Sequence, residues 1–288
     1  MSAIDTSILT RQNTLRDKGV PKVDYHCHIS ITEYSDPDNP TVISVSKEEF
    51  IADLNEAGID KAVVLSDKRT TPKQVADFCN QASEKFIGFG YVNPIKKDAA
   101  DSARMQRNEL GLYGLKLYPC SDGYKPDDTH AFKVYEVASE MNMPIMFHHA
   151  GMPVEYDYLY HTDPAQIDVV AECFPQLKIV LAHIGYPRVA ETLYVTRKHR
   201  NVYCDISWPY GDVNHPSFLY LLWKDLLTAL NMGVLHKMIF GTDYPGVRQR
   251  PYVDMLLNIN RYATHDDLKL PMDKISDILD KNIQPLLP

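Results

Sequence analysis

Residues 22–29 read Lys22-Val23-Asp24-Tyr25-His26-Cys27-His28-Ile29, a short apolar run that closes on two histidines one residue apart. Side chains alternate across a strand, so His26 and His28 share a face and Cys27 takes the other. Two imidazoles on one face can reach one divalent metal, although such a pair alone is as readily structural. Seven further runs follow: KAVVLS (61–66), FIGFGYVN (86–93), GLKLY (114–118), PIMFHH (144–149), KIVLAH (178–183), NVYCDIS (201–207) and MIFGTDY (238–244). Their starts recur about every 31 residues, the length one βα unit needs. The runs are nearly continuous in apolar residues rather than alternating, which marks strands buried on both faces of a parallel sheet.

Helix signals fill the gaps. Residues 46–58 open with Ser46 and Glu49 as a capping box and stop at Gly58. Helical spacing also predicts helices over 127–142, over 163–175 with Asp163 as cap and Pro164 in the first turn, over 217–233, and over 273–282. Eight β-α alternations predict an α/β fold, a (β/α)8 TIM barrel in a single domain over 22–288, preceded by an N-terminal arm over 1–21. A doubly wound open sheet would want a GxGxxG turn after the first strand, and none is present.

The 288 residues suit one barrel, and 44% hydrophobic with 24% charged residues is the composition of a folded globule. A net charge of −8 argues against nucleic acid and anionic membranes as partners. Five cysteines show no CxxC pair, the first 22 residues lack the apolar core of a signal peptide, and no apolar stretch is long enough to span a bilayer. A cytoplasmic location is expected, with a small-molecule substrate as partner.

Three more metal-type residues end apolar runs: His149, His183 and Asp243. Several polar groups at strand tips, converging on one barrel mouth, would be a costly coincidence, because each buries a group that needs a partner. Catalytic residues of such barrels sit at that end. His26, His28, His149 and Asp243 make three imidazoles and a carboxylate, a set suited to one Zn²⁺ or, less tightly, Mn²⁺ or Fe²⁺, with a position open for water. Lys116 faces inward, since Leu115 and Leu117 take the opposite face, and a buried lysine wants a partner. Tyr156, Tyr158, Tyr160, Trp208 and Tyr210 would give an aromatic mouth for a flat or cyclic substrate, or simply cover helix ends. Arg248 and Arg250 are placed either to clamp a substrate carboxylate or to serve as surface charge. Asp205 closes the seventh run as a supporting or capping group.

The stretches DYHCHI, GFGYVNP, GLKLYP, FHHAG, LAHIG and FGTDYP, in this order from residue 22 to about 285, resemble the motifs of the amidohydrolase superfamily. They look closest to the amidohydrolase-related branch, which includes aminocarboxymuconate-semialdehyde decarboxylase, resorcylate decarboxylases and pyrone-dicarboxylate lactonase. The resemblance implies that His26, His28, His149 and Asp243 hold the metal and that His183 sits beside it. The family's HxG form selects His149, followed by Ala150-Gly151, and leaves His148 as a core or supporting histidine. It also implies a mononuclear site with Lys116 as an ammonium paired to an acid or to substrate, rather than a carbamate bridging two metals. Dimers are frequent in that family, which leaves a homodimer open.

Such a site serves two chemistries. Water attack on a carbonyl hydrolyses a lactone, ester or amide, with Asp243 moving the proton and His183 as acid/base or electrophile. Protonation of an unsaturated carbon followed by loss of CO₂ makes a non-oxidative decarboxylase. The expectation is a metal-dependent hydrolase acting on a small cyclic or carboxylate-bearing substrate, with the carboxy-lyase as the alternative; Lys116, Arg248, Tyr156 and Trp208 are the expected substrate contacts.

Overall fold

All eight apolar runs form strands in the computed structural model, which describes residues 21–33, 40–151 and 157–288. The described strands are β1 (Val23–Cys27), β2 (Ser30–Glu33), β3 (Thr41–Ser44), β4 (Lys61–Leu65), β5 (Phe86–Tyr91), β6 (Gly114–Leu117), β7 (Ile145–Phe147), β8 (Ile179–Leu181), β9 (Val202–Asp205) and β10 (Met238–Ile239). Eight of them pair in parallel in the order β1-β4-β5-β6-β7-β8-β9-β10. β2 and β3 make a separate antiparallel ribbon, with Ser30 opposite Ser44 and Glu33 opposite Thr41. This ribbon has no counterpart in the sequence reading, because its strands are four residues long and largely exposed.

The helices are α1 (Lys47–Ala57), α2 (Pro72–Asn80), α3 (Ala99–Asn108), the single turn α4 (Pro119–Asp122), α5 (Phe132–Glu140), α6 (Pro164–Cys173), α7 (Val189–Lys198), α8 (Pro216–Asn231), α9 (Gln249–Leu257) and α10 (Met272–Leu279). α1 carries the expected capping box between Ser46 and Glu49 and ends at Gly58 in the left-handed region, a cap worth about 1 kcal/mol. α5 begins at Phe132 rather than near 127. Asp128 Oδ1 accepts from the backbone N–H of His130 at 2.9 Å, a local turn that competes with helix.

The arrangement is a (β/α)8 barrel. Its interior is filled by Val23, Tyr25, Val63, Leu65, Phe89, Met146, Val180 and Ile239, and Ile283 and Leu286 from the chain's end join the same cluster. Tyr25 Oη donates to the carbonyl of Leu286 at 3.3 Å. Cys27, Leu115, Leu117, Ile145 and Phe147 pack instead with the surrounding helices. The strand faces are therefore as expected: His26, His28 and Lys116 have inward parity.

β10 contributes only two ladder residues, so the seam with β1 closes by other means. Tyr25 N–H donates to Phe240 O at 3.0 Å, Asp243 N–H to His26 O at 2.8 Å and His28 N–H to Tyr244 O at 2.7 Å. Asp24, fully buried, adds side-chain bonds: its carboxylate accepts from Thr242 N–H at 3.0 Å and Thr242 Oγ1 at 2.6 Å. The strands approach so closely that a Cβ on Gly241 would lie 2.9 Å from His26 Cβ. Among the described residues no helix is long and apolar enough to cross a membrane. Residues 1–20 of the expected arm lie outside the described residues.

Candidate metal centre and active site

The barrel mouth gathers a histidine cluster. His26, His28, His148, His149, His183 and Lys116 are all buried. Asp243 Oδ1 lies 3.3 Å from both His26 Nε2 and His28 Nε2. Lys116 Nζ lies 3.3 Å from His26 Nε2 and 5.4 Å over the Tyr118 ring. The His183 ring sits between two others, its centroid 4.9 Å from that of His26 and 4.7 Å from that of His148.

Two of the turns that carry these residues adopt backbone conformations that side chains rarely take. His183, Ile184 and Gly185 follow β8 with φ of 60°, 51° and 73°, and Asp243 has φ of 65°. A β-branched residue at such an angle is a true outlier, and each costs about 1–3 kcal/mol. Close packing compels part of this: a Cβ on Gly185 would lie 2.0 Å from Thr192 Oγ1. The turns thereby swing the functional groups over the mouth.

Hydrogen bonds assign the ring nitrogens. His26 Nδ1 faces Asp205 Oδ2 at 2.8 Å, so it carries the proton and Nε2 keeps its lone pair. That lone pair faces the Lys116 ammonium at 3.3 Å and, at the same distance, Asp243 Oδ1, another acceptor. His183 Nδ1 donates to the carbonyl of Ser207 at 2.9 Å, which leaves its Nε2 as acceptor for His148 Nδ1–H at 3.2 Å. His148 Nε2 is then a buried lone pair with no hydrogen-bond partner, and His28 Nδ1 is also unpartnered.

Electrostatics agree. Burial would raise the Asp243 carboxyl, but His26, His28 and His183 hold it well below the usual carboxylate range. Burial first, then Lys116, pushes His26 well below the ordinary imidazole value. Burial and His183 do the same to His148. Burial pushes the Lys116 ammonium down to about 8, against the pull of Asp205 and Asp243. An ionised carboxylate beside a neutral imidazole lone pair, that of His26, is part of a divalent cation's donor set. His26, His28 and Asp243 have donor atoms mutually within 4.8 Å, and the residues fit a metal.

The fifth barrel strand is followed by two buried histidines, His148 and His149. His149, like His148, belongs to neither His/Asp group with metal-ligand spacing among the described residues. Both its ring nitrogens are buried without partners, and burial, Arg188 and His183 push it down to about 3. His148 is the one against His183 and Tyr118. The reason is parity: Met146 points into the barrel, so the inward position two residues on is 148.

The expected substrate contacts also sort. Arg248 is committed to Asp53 of α1, which also accepts from Tyr244 Oη at 2.7 Å, and it is not brought to the histidines. Trp208 donates from Nε1 to Gly211 O at 2.6 Å and lies over Gly246, bridging the loops after β9 and β10. Tyr158 and Tyr160 are exposed. Tyr156 lies outside the described residues. Asp205 proves to be a hydrogen-bond partner of His26, and Asp24, Thr242 and Ser207 are contributors that the sequence reading passed over.

A metal-type histidine and aspartate cluster at the mouth of a parallel barrel defines a metal-dependent amidohydrolase-type fold and site. The chain belongs to the amidohydrolase family, whose model matches residues 23–288, and it is an enzyme of that superfamily. Its fold is similar to that of an uncharacterised TIM-barrel protein of Bordetella bronchiseptica, at 20% identity and a TM-score of 0.73 over 93% of this chain and 98% of that one. It is also similar to 5-carboxyvanillate decarboxylase of Sphingomonas paucimobilis, at 15% identity and a TM-score of 0.67 over 93% and 99%. A stretch of 82 residues is 37% identical to a dihydroorotase of Hahella chejuensis, spanning 25% of this chain and 24% of that relative's length.

Proposed function

We propose that this protein is a metal-dependent hydrolase of a small lactone, ester or amide that is cyclic or carries a carboxylate. The observation that carries the reading is the opposition of two acceptors, His26 Nε2 and Asp243 Oδ1, across 3.3 Å in a buried site. His26, His28, His148 and Asp243 would hold the ion, and three imidazoles with a carboxylate suit Zn²⁺, with Mn²⁺ or Fe²⁺ as alternatives. When bound, a divalent ion supplies Lewis acidity, acidifying a water and polarising a substrate oxygen.

This chain's residues do the rest. The Asp243 carboxylate, held well below the usual carboxylate range, takes a proton from the attacking water and returns it to the leaving group. His183, neutral through burial, takes a proton at Nε2 on releasing the His148 Nδ1–H bond, since Ser207 holds its Nδ1–H. The Lys116 ammonium gives the pocket a positive charge that suits a substrate carboxylate. A second reading, a non-oxidative carboxy-lyase, uses the same groups, with a proton delivered to carbon; the fold shared with the 5-carboxyvanillate decarboxylase supports it.

A panel of lactones, esters, cyclic amides and aromatic acids, assayed for acid release and for CO₂, separates the two. The expected result is acid release without CO₂, lost on chelation and restored by Zn²⁺ or Mn²⁺; CO₂ release overturns hydrolysis in favour of the lyase. Activity that survives complete metal removal overturns both. His183→Ala is expected to lower kcat by about 10²-fold or more while metal content stays at that of the parent, the usual worth of a positioned acid–base group. Loss of metal together with activity would make His183 a ligand instead.

A further inference from the structure

A second group with ligand-like spacing, His26, His183 and Asp205, lies on the far side of the same rings. Its centre is taken by a hydroxyl: Ser207 Oγ is 2.5 Å from Asp205 Oδ1, 2.9 Å from His26 Nδ1 and 3.1 Å from His183 Nδ1. The Ser207 hydroxyl has one hydrogen, which goes to the carboxylate, so its lone pairs face two imidazole N–H groups. Asp205 Oδ1 also accepts from the backbone N–H of His183 at 2.9 Å and of Ser207 at 3.0 Å, while Oδ2 accepts from His26 Nδ1. Four donors thus serve one fully buried carboxylate, three on Oδ1 and one on Oδ2. The carbonyl of Ser207 takes the His183 Nδ1–H. Every hydrogen in the group is thus accounted for, and hydrogen bonds rather than a second ion satisfy it.

We infer that Asp205 and Ser207 act as one positioning unit that fixes His26 and His183 in the same tautomer, Nδ1–H inward and Nε2 toward the site. Metal affinity and proton transfer then share a single support. Asp205 does this twice over, through the ring of His26 and through the backbone of His183, whose left-handed φ of 60° needs an external hold. The inference rests on His26 being a ligand and His183 a proton carrier. Its test reads tautomers before any substrate is chosen, so its failure is separate from a failure of that reading.

In the metal-free protein, the ¹⁵N shifts of the His26 and His183 rings should show Nδ1 protonated and Nε2 bare. Asp205→Asn cannot satisfy the group in either amide orientation. With its oxygen toward the three donors, the NH₂ meets the His26 Nδ1–H; reversed, the NH₂ meets those three donors. The His26 ring should therefore move to the Nε2–H form, and Zn²⁺ affinity by chelator competition should fall about 10–100-fold with circular dichroism unchanged. Either ring of the unmutated protein found as Nε2–H overturns the inference, and that arm stands even where Asp205→Asn fails to fold. A folded Asp205→Asn that keeps Zn²⁺ affinity within about threefold of the parent overturns it as well.

Discussion

Asp243→Asn is expected to abolish turnover, by about 10³-fold or more, while leaving the fold in place. The amide nearly matches the carboxylate in volume, and asparagine is among the few residues at ease at the φ of 65° found there. What it loses is charge and basicity. The native carboxylate is held ionised among three histidines, and an amide can neither neutralise a cation nor take a proton from water. Metal-free variant and metal-free parent should melt at nearly the same temperature, whereas kcat and metal occupancy both collapse. Activity within a few-fold of the parent would remove Asp243 from the chemistry.

The second large effect separates two adjacent histidines. His148→Ala should strip the protein of metal during gel filtration and with it nearly all activity, because it removes a buried lone pair that nothing else uses. His149→Ala should retain metal. Its ring has two unpartnered nitrogens in a buried place, an arrangement costing about 1–3 kcal/mol for each unsatisfied group, so the smaller residue forfeits packing but relieves desolvation. Elemental analysis of both variants decides the matter. Metal kept in His148→Ala and lost in His149→Ala would favour instead the assignment implied by the HxG pattern.

That pair shows where a linear reading stops. His26 and His28 were legible because strand alternation puts i and i+2 on one face, and Lys116 because its flanking leucines claimed the other. At Phe147 the ladder of β7 ends, and the choice between 148 and 149 depends on how far strand parity runs past the last paired residue. A motif cannot report that; the inward position of Met146 bears on it and favours 148. Arg248 was open for a different reason. Its partner Asp53 stands 195 positions earlier, and no local pattern tells an arginine destined for a substrate from one destined for a neighbouring helix. The β2–β3 ribbon escaped because half-exposed four-residue strands carry no apolar period. Ser207 escaped because a hydroxyl has no residue-type signature of its role. The capping box of α1 and the eight repeats were readable because both are local.

The short β10 has a bearing on stability as well as on shape. His26 and His28 stand on one side of the joint it leaves with β1, and Asp243 stands on the other. An ion coordinated by all three would be a clasp across the one place where the ring lacks a full ladder. Occupancy and ring closure would then be thermodynamically linked: free metal at a thousand times its Kd adds about 4 kcal/mol to the closed state. The site would thus serve as its own structural quality control, since a barrel whose joint had sprung open could not keep the ion that makes it reactive.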